Sequence, residues 1–191
     1  METIITVMAA DRVGIIAEVT QAIGALGGNI NELSQTVMRH YFTIILSVTF
    51  PDAVMHEQIR EKIAVEGKPG ELLISVKDYV PLPSPVPSGE HFILTARGVD
   101  RPGIIREISA YLANKGINIE DCYADVEEGR FVMILEVCIP QEWDVRQLQL
   151  DLESLGKEIG LTAHLQHENI FLATNEVRSV RALSARETEF L

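Results

Sequence analysis

Asp11-Arg12-Val13-Gly14-Ile15-Ile16 returns as Asp100-Arg101-Pro102-Gly103-Ile104-Ile105, an offset of 89 residues. At the same offset Phe42 meets Phe131, Ile45-Leu46 meets Ile134-Leu135, Pro51 meets Pro140 and Leu72 meets Leu161. From Ile4 to Pro51, 17 of 48 positions are identical without a gap. The chain is one domain written twice. A period this long signals two whole domains rather than a solenoid of short repeats.

Reading outward from the motif, Thr3–Ala9 alternates and is rich in β-branched residues, which predicts a strand. Asp11 then offers a side-chain oxygen to the amides of a following helix. In that helix Ile15, Ile16, Val19, Ile23 and Leu26 form one apolar stripe, and Gly27-Gly28 stops it. Asn29–Met38 and Tyr41–Phe50 read as strands joined at Arg39-His40. Pro51-Asp52 opens a second helix to about Gly67, and Lys68-Pro69-Gly70 turns the chain into a last strand, Leu72–Val80. The second copy repeats the order: strand His91–Ala96, helix Pro102–Asn114, strands Asn118–Val126 and Arg130–Ile139 about a Glu128-Gly129 turn, helix Glu142–Ile159, strand Leu161–His167.

This β-α-β-β-α-β order predicts an α+β chain of two ferredoxin-like domains, antiparallel sheets with both helices on one face. The domains are expected at 1–80 and 90–169, separated by a stiff linker at 81–89 that holds four of the chain's eight prolines. A tail at 170–191 has no counterpart in the first copy; within it Val177, Val180 and Leu183 could share a helical face. Halves of this size sit near the lower limit for an independent core, which favours packing as a pseudo-dimer and further self-association into a homo-oligomer.

The net charge of −12 divides as −4 over residues 1–80, −8 over 81–170 and zero over the rest. Nucleic-acid binding draws its affinity from a Lys and Arg excess that neither half has, so direct DNA or RNA binding is disfavoured. A protein partner, a transcription factor or an enzyme, needs only a local complementary patch. Cys122 and Cys138 read as two buried, reduced thiols. The opening Met1–Met8 has no basic leader, and the apolar runs are too short to span a bilayer, which predicts a cytoplasmic protein with no membrane contact.

Two repeated segments could carry chemistry. In the first, Pro102 suits a helix's first turn, and Gly14 and Gly103 remove the side chain that would keep a ligand from the backbone. First-turn amides have no partner inside the helix and carry the positive end of its dipole, so a small carboxylate can sit there. Each charge-assisted hydrogen bond contributes roughly 1.5–3 kcal/mol. The second segment, Gly27-Gly28-Asn29-Ile30 against Gly116-Ile117-Asn118-Ile119, places Asn29 and Asn118 at strand starts. Asn carbonyls and the Asp11 and Asp100 carboxylates can accept from an ammonium group. Together the loops complement an α-amino acid. The same residues serve equally well as helix caps, packing glycines and turns.

Asp100-Arg101-Pro102-Gly103-Ile104-Ile105 followed by Lys115-Gly116-Ile117-Asn118-Ile119 resembles the signature of the ACT-domain family, and the first copy matches with Val13 in place of the proline. The resemblance implies regulatory modules that bind amino acids between paired domains. Carried over by position, the ligand contacts fall on Asp11, Arg12, Val13, Gly14 and Ile15 with Asn29 and Ile30, and on Asp100, Arg101, Pro102, Gly103 and Ile104 with Asn118 and Ile119. Two such domains with nothing catalytic attached resemble the glycine cleavage system transcriptional repressor group. That implies a small amino acid such as glycine or serine as ligand and action through a DNA-binding partner protein. Val13 and Gly28 differ from the second copy, so the two sites need not be alike.

Three other classes compete with this one. An enzyme finds no nucleophile elbow, phosphate loop or Cys-x-x-Cys. The five histidines (His40, His56, His91, His164, His167) are scattered, and His164 and His167 point to opposite faces of a strand, so neither a metal nor another cofactor is expected. An RNA-recognition domain would need a basic surface and stacking aromatics, which Arg130-Phe131-Val132-Met133 lacks. A purely structural dimerisation module would look much the same in sequence.

Overall fold

Alternation along the strands decides which face of each sheet is covered. Ile5, Val7 and Ala9 of β1 (Glu2–Ala10) and Phe42, Ile44, Leu46 and Val48 of β3 (Tyr41–Thr49) are buried, while the residues between them are half-buried or exposed. The computed structural model describes residues 1–67, 70–81 and 89–174. Most of the proline-rich linker, the turn at Lys68-Pro69 and the apolar positions Val177, Val180 and Leu183 lie outside the described residues.

The chain divides into two compact units, Met1–Leu82 and Pro83–Leu191. In the first, α1 (Ile15–Ala25), β2 (Asn29–Met38), α2 (His56–Glu66) and β4 (Leu73–Asp78) join β1 and β3. In the second, β5 (Gly89–Val99), α3 (Ile104–Asn114), β6 (Asn118–Glu127), β7 (Arg130–Pro140), α4 (Val145–Ile159) and β8 (Leu161–His167) repeat them, and a short α5 (Glu168–Thr174) follows. The sheets run β2-β3-β1-β4 and β6-β7-β5-β8, antiparallel throughout. This is the ferredoxin-like α+β arrangement in both units. Each helix pair buries its stripe on one sheet face: Ile15, Val19, Ile23, Ile59 and Ile63 in one core, Ile104, Ile108, Leu112, Leu148 and Leu152 in the other. No helix among the described residues is long and apolar enough to cross a membrane.

Several expectations from sequence need correction. Asp11 does not cap α1: Gly14 is the N-cap residue, in the left-handed region at φ 98°, and no side chain bonds to the cap. Gly103 does the same at φ 96°, so α3 starts two residues after Pro102. The helix expected from Pro51 begins at His56, because Pro51 closes a turn onto Val54 and the Met55 amide donates to Gln58 Oε1 at 2.8 Å. The fourth helix starts at Val145, where Asp144 accepts from the Arg146 amide. Ile16, counted in the apolar stripe, is 42% exposed. Cys122 is exposed because β6 is an uncovered edge strand, whereas Cys138 is buried. The helix α5 had no signal in the sequence.

The two copies differ at Gly28 and Ile117 for a packing reason. A Cβ on Gly28 would stand 2.6 Å from the Phe50 ring and 2.7 Å from Ile23 Cγ2. At the equivalent places the second unit buries Ile117 and Ile139. One core fills the space from the strand end with a ring; the other shares it between two isoleucines.

Gly24 shows the opposite situation. It lies exposed in α1, a Cβ placed on it would meet no atom within 4 Å, and its counterpart is already Ala113. Glycine inside a helix is disfavoured against alanine by about 0.5–1 kcal/mol. Gly24→Ala is therefore expected to stabilise the protein by that amount, read as a higher urea midpoint at unchanged slope.

Candidate functional site

The duplicated loops are held at the end of each sheet by a hairpin. The Asp11 amide donates to the His40 carbonyl at 2.7 Å, and the Asp100 amide to the Gly129 carbonyl at 3.0 Å. The hairpin residues Arg39 and His40, like Glu128 and Gly129, have positive φ, the conformation that matches a two-residue turn to strand twist. Loop, hairpin and helix start form one edge in each unit.

Beyond the left-handed glycines the first-turn amides of α1 and α3 project without a side-chain cap. A Cβ at Gly14 would meet nothing closer than 3.8 Å, and one at Gly103 nothing closer than 3.7 Å. A side chain's first carbon would thus find ordinary contacts, and no clash, in front of both loops. In the first unit a cavity of about 480 Å³ lies there, lined by Asp11, Arg12, Gly14, Ile15 and Ile16 with Gln35 and Phe42 from the neighbouring strands. Val13, almost fully exposed, stands clear of it. Sequence comparison between the copies could not find Gln35, whose counterpart is Ala124. Phe42, repeated as Phe131, carries a signal in the sequence, but one that a core residue gives equally.

The two arginines behave differently. Arg12 forms paired bonds to Glu18 (2.8 and 2.6 Å) and to Glu71 (2.8 and 3.0 Å). These bonds, Glu18 first, push the Arg12 pKa upward from its ordinary value. The side chain ties the loop to α1 and to the approach to β4, and its charge is matched by two carboxylates. Arg101 Nε instead donates to the Ile159 carbonyl at the end of α4, and its nearest carboxylate contact, to Glu107, is 3.9 Å. The Arg101 charge is therefore less closely matched by carboxylates than that of Arg12.

Asn29, Ile30, Asn118 and Ile119 are elsewhere. Asn29 pairs with Thr49, which also faces Glu2 at the start of β1, whereas Asp11 follows the other end of that strand. At the usual rise per residue, the two loops of one unit are about 25 Å apart. Asn29 is exposed and donates to Asn31 Oδ1 at 3.3 Å, and Ile30 and Ile119 pack against their cores. Asn118 stands opposite Cys138. A single unit brings together the residues from Asp11 to Ile15, or from Asp100 to Ile104, but not the asparagine segments with them.

Residues 3–66 match a family model described as ACT domain, and residues 90–166 match a second ACT-domain model. A UPF0237 protein of Methanococcus maripaludis is 42% identical over 83 residues, which is 43% of this chain and 92% of that relative. Among solved structures, an unknown protein from Galdieria sulphuraria is similar at TM-score 0.72 and 23% identity, over 87% of this chain and 97% of that one. A putative glycine cleavage system transcriptional repressor is similar at TM-score 0.63 and 17% identity, over 86% of this chain and 95% of that one.

Proposed function

Because this chain belongs to the ACT-domain family, we propose that it is a non-catalytic regulatory protein that binds a small amino acid, glycine or serine in type, and signals its presence through a protein partner. The observation that carries this reading is the pair of uncapped helix starts behind Gly14 and Gly103, the first of them opening on a cavity. Unpaired amides at a helix N-terminus favour a carboxylate, and Asp11 or Asp100 beside them favours an ammonium. With Glu18 and Glu71 already nearby, a zwitterion fits the first site better than a simple anion.

The separation of the loops within one unit bears on how a complete site is made. Donors from Asp11–Ile15 or Asp100–Ile104 can meet the Asn29-Ile30 or Asn118-Ile119 acceptors only if two domains contribute. We therefore assign the ligand to interfaces between ACT domains, paired within the chain as a pseudo-dimer or between copies in a homo-oligomer. The domains are taken as 1–80 and 90–169, joined by 81–89. A ligand shared by two domains biases their pairing by its difference in affinity between paired and unpaired states. The acidic surface favours a protein partner, such as a DNA-binding regulator of amino-acid metabolism, over direct contact with nucleic acid.

Glycine has few heavy atoms, and at about 1.5 kcal/mol for each the affinity is micromolar at best, suited to a metabolite present at high concentration. The test is a thermal-shift and calorimetric screen of the twenty amino acids. A melting rise and a saturable heat with a small amino acid supports the reading. No response to any of them leaves a dimerisation module without ligand.

A further inference from the structure

On the face of the second sheet opposite α3 and α4, three adjacent strands bring unlike side chains to one point. His91 on β5 and Cys138 on β7 are direct cross-strand partners, and Glu120 projects from the irregular step in β6 between Ile119 and Asp121. Their ligating atoms all lie within 4.8 Å of one another, with His91 Nδ1 2.9 Å from Glu120 Oε2. The equivalent positions in the first unit are Glu2, Asn31 and Thr49, which form an ordinary hydrogen-bonded cluster: Asn31 donates to Thr49 Oγ1 at 2.9 Å, and Ser47 donates to Glu2 at 2.7 Å. The second copy has replaced an amide, a hydroxyl and a carboxylate with a carboxylate, a thiol and an imidazole.

We propose that His91, Glu120 and Cys138 form a binding site for a divalent first-row cation of the zinc type. One nitrogen, one oxygen and one sulfur are ligands for such an ion, whereas calcium and magnesium take shells of oxygen. With metal–ligand bonds of about 2.0–2.3 Å, tetrahedral neighbours stand roughly 3.3–3.8 Å apart. To bind the ion the His91–Glu120 contact opens, and the Cys138 thiol, which accepts from the Gly89 amide, turns toward the other two ligands. His91 ligates as the neutral imidazole through Nδ1 with its proton on Nε2, and the Cys138 thiol gives its proton to solvent. The backbone that carries the ligands is fixed by two strand ladders. The His91 side chain is 45% exposed and leaves a way in for the ion and a fourth position for water. Three protein ligands with water in the fourth position make an open site, unlike the closed four-ligand structural sites. This site does not depend on the amino-acid reading, since it is assayed with metal alone.

The experiment uses the full chain, stripped with a chelator and titrated with Co²⁺. Expected are a sulfur-to-cobalt charge-transfer band in the near ultraviolet and visible bands of tetrahedral intensity, saturating at one equivalent and bleached by Zn²⁺. Cys138→Ser should remove the near-ultraviolet band, Cys122→Ser should leave it unchanged, and His91→Gln should weaken binding roughly tenfold or more. His91 lies on the surface, so His91→Gln remains informative if Cys138→Ser misfolds. No saturable band, a band that persists in Cys138→Ser, affinity unchanged in a folded His91→Gln, or loss of the band in Cys122→Ser would each overturn the assignment. In each case the His91–Glu120 contact is a hydrogen-bonded pair beside a buried thiol and not a metal site.

Discussion

Valine in place of Gly103 is expected to abolish amino-acid binding by the second domain and to lower its melting temperature by about 5–10 °C. Gly103 sits at φ 96°, where an L residue is strained and a β-branched one is an outlier. Placing a side chain in the left-handed region costs roughly 1–2 kcal/mol, and branching adds to it. The nearest atoms, the side-chain ends of Glu107 and Arg106, stand 3.7–4.0 Å from a Cβ there and can swing aside, so the valine methyls come to lie in front of the uncapped amides of α3. Gly103→Ala separates the two effects: it carries most of the strain and little of the bulk. Calorimetry with glycine and serine, alongside thermal melts, reads both. A folded Gly103→Val that binds as the wild type does would remove the second loop from the site.

The second large effect is expected at Gly98. A Cβ there would lie 2.4 Å from the Gly160 carbonyl oxygen and 2.6 Å from Leu161 Cδ2. The first obstacle is backbone and cannot swing away. Gly98→Ala should therefore destabilise the second domain by about 2–3 kcal/mol, measured by urea denaturation. The first domain holds Ala9 at this place without difficulty, because β4 starts at Leu73 opposite Met8 and does not reach Ala9, whereas β8 starts at Leu161 directly opposite Gly98. The same turn at Ile159 and Gly160 receives the Arg101 bond, so the substitution should also disturb the loop that follows β5. A variant as stable as the wild type would show that the α4–β8 turn yields easily.

Element order was legible because the repeat and the hydrophobic periods agreed, and Asn29–Met38 and Leu161–His167 were readable to the residue. Helix starts were not. Aspartate before an apolar run is the usual cue for a cap, but at Asp11 and Asp100 a left-handed glycine three residues on takes the cap position. Pro51 gave the same false cue, since its turn onto Val54 delays α2. The loop half of the candidate site was readable, being contiguous in sequence and repeated. Its distance from Asn29 and Asn118 was not, because that depends on how many residues of β1 and β5 run between the two ends. His91, Glu120 and Cys138 were invisible for a related reason: they meet only through strand register and the irregular step in β6, which no local pattern encodes.

The exchange of Gly28 and Phe50 for Ile117 and Ile139 also constrains the history open to this gene. Tandem copies can recombine unequally, and a crossover between the end of α1 and the end of β3 would yield a hybrid domain. One product joins Gly28 to Ile139 and leaves a void; the reciprocal product forces Ile117 onto Phe50. Neither inherits a filled interior. Within that stretch the halves are poor spare parts for one another, whereas a crossover outside it keeps each matched pair together.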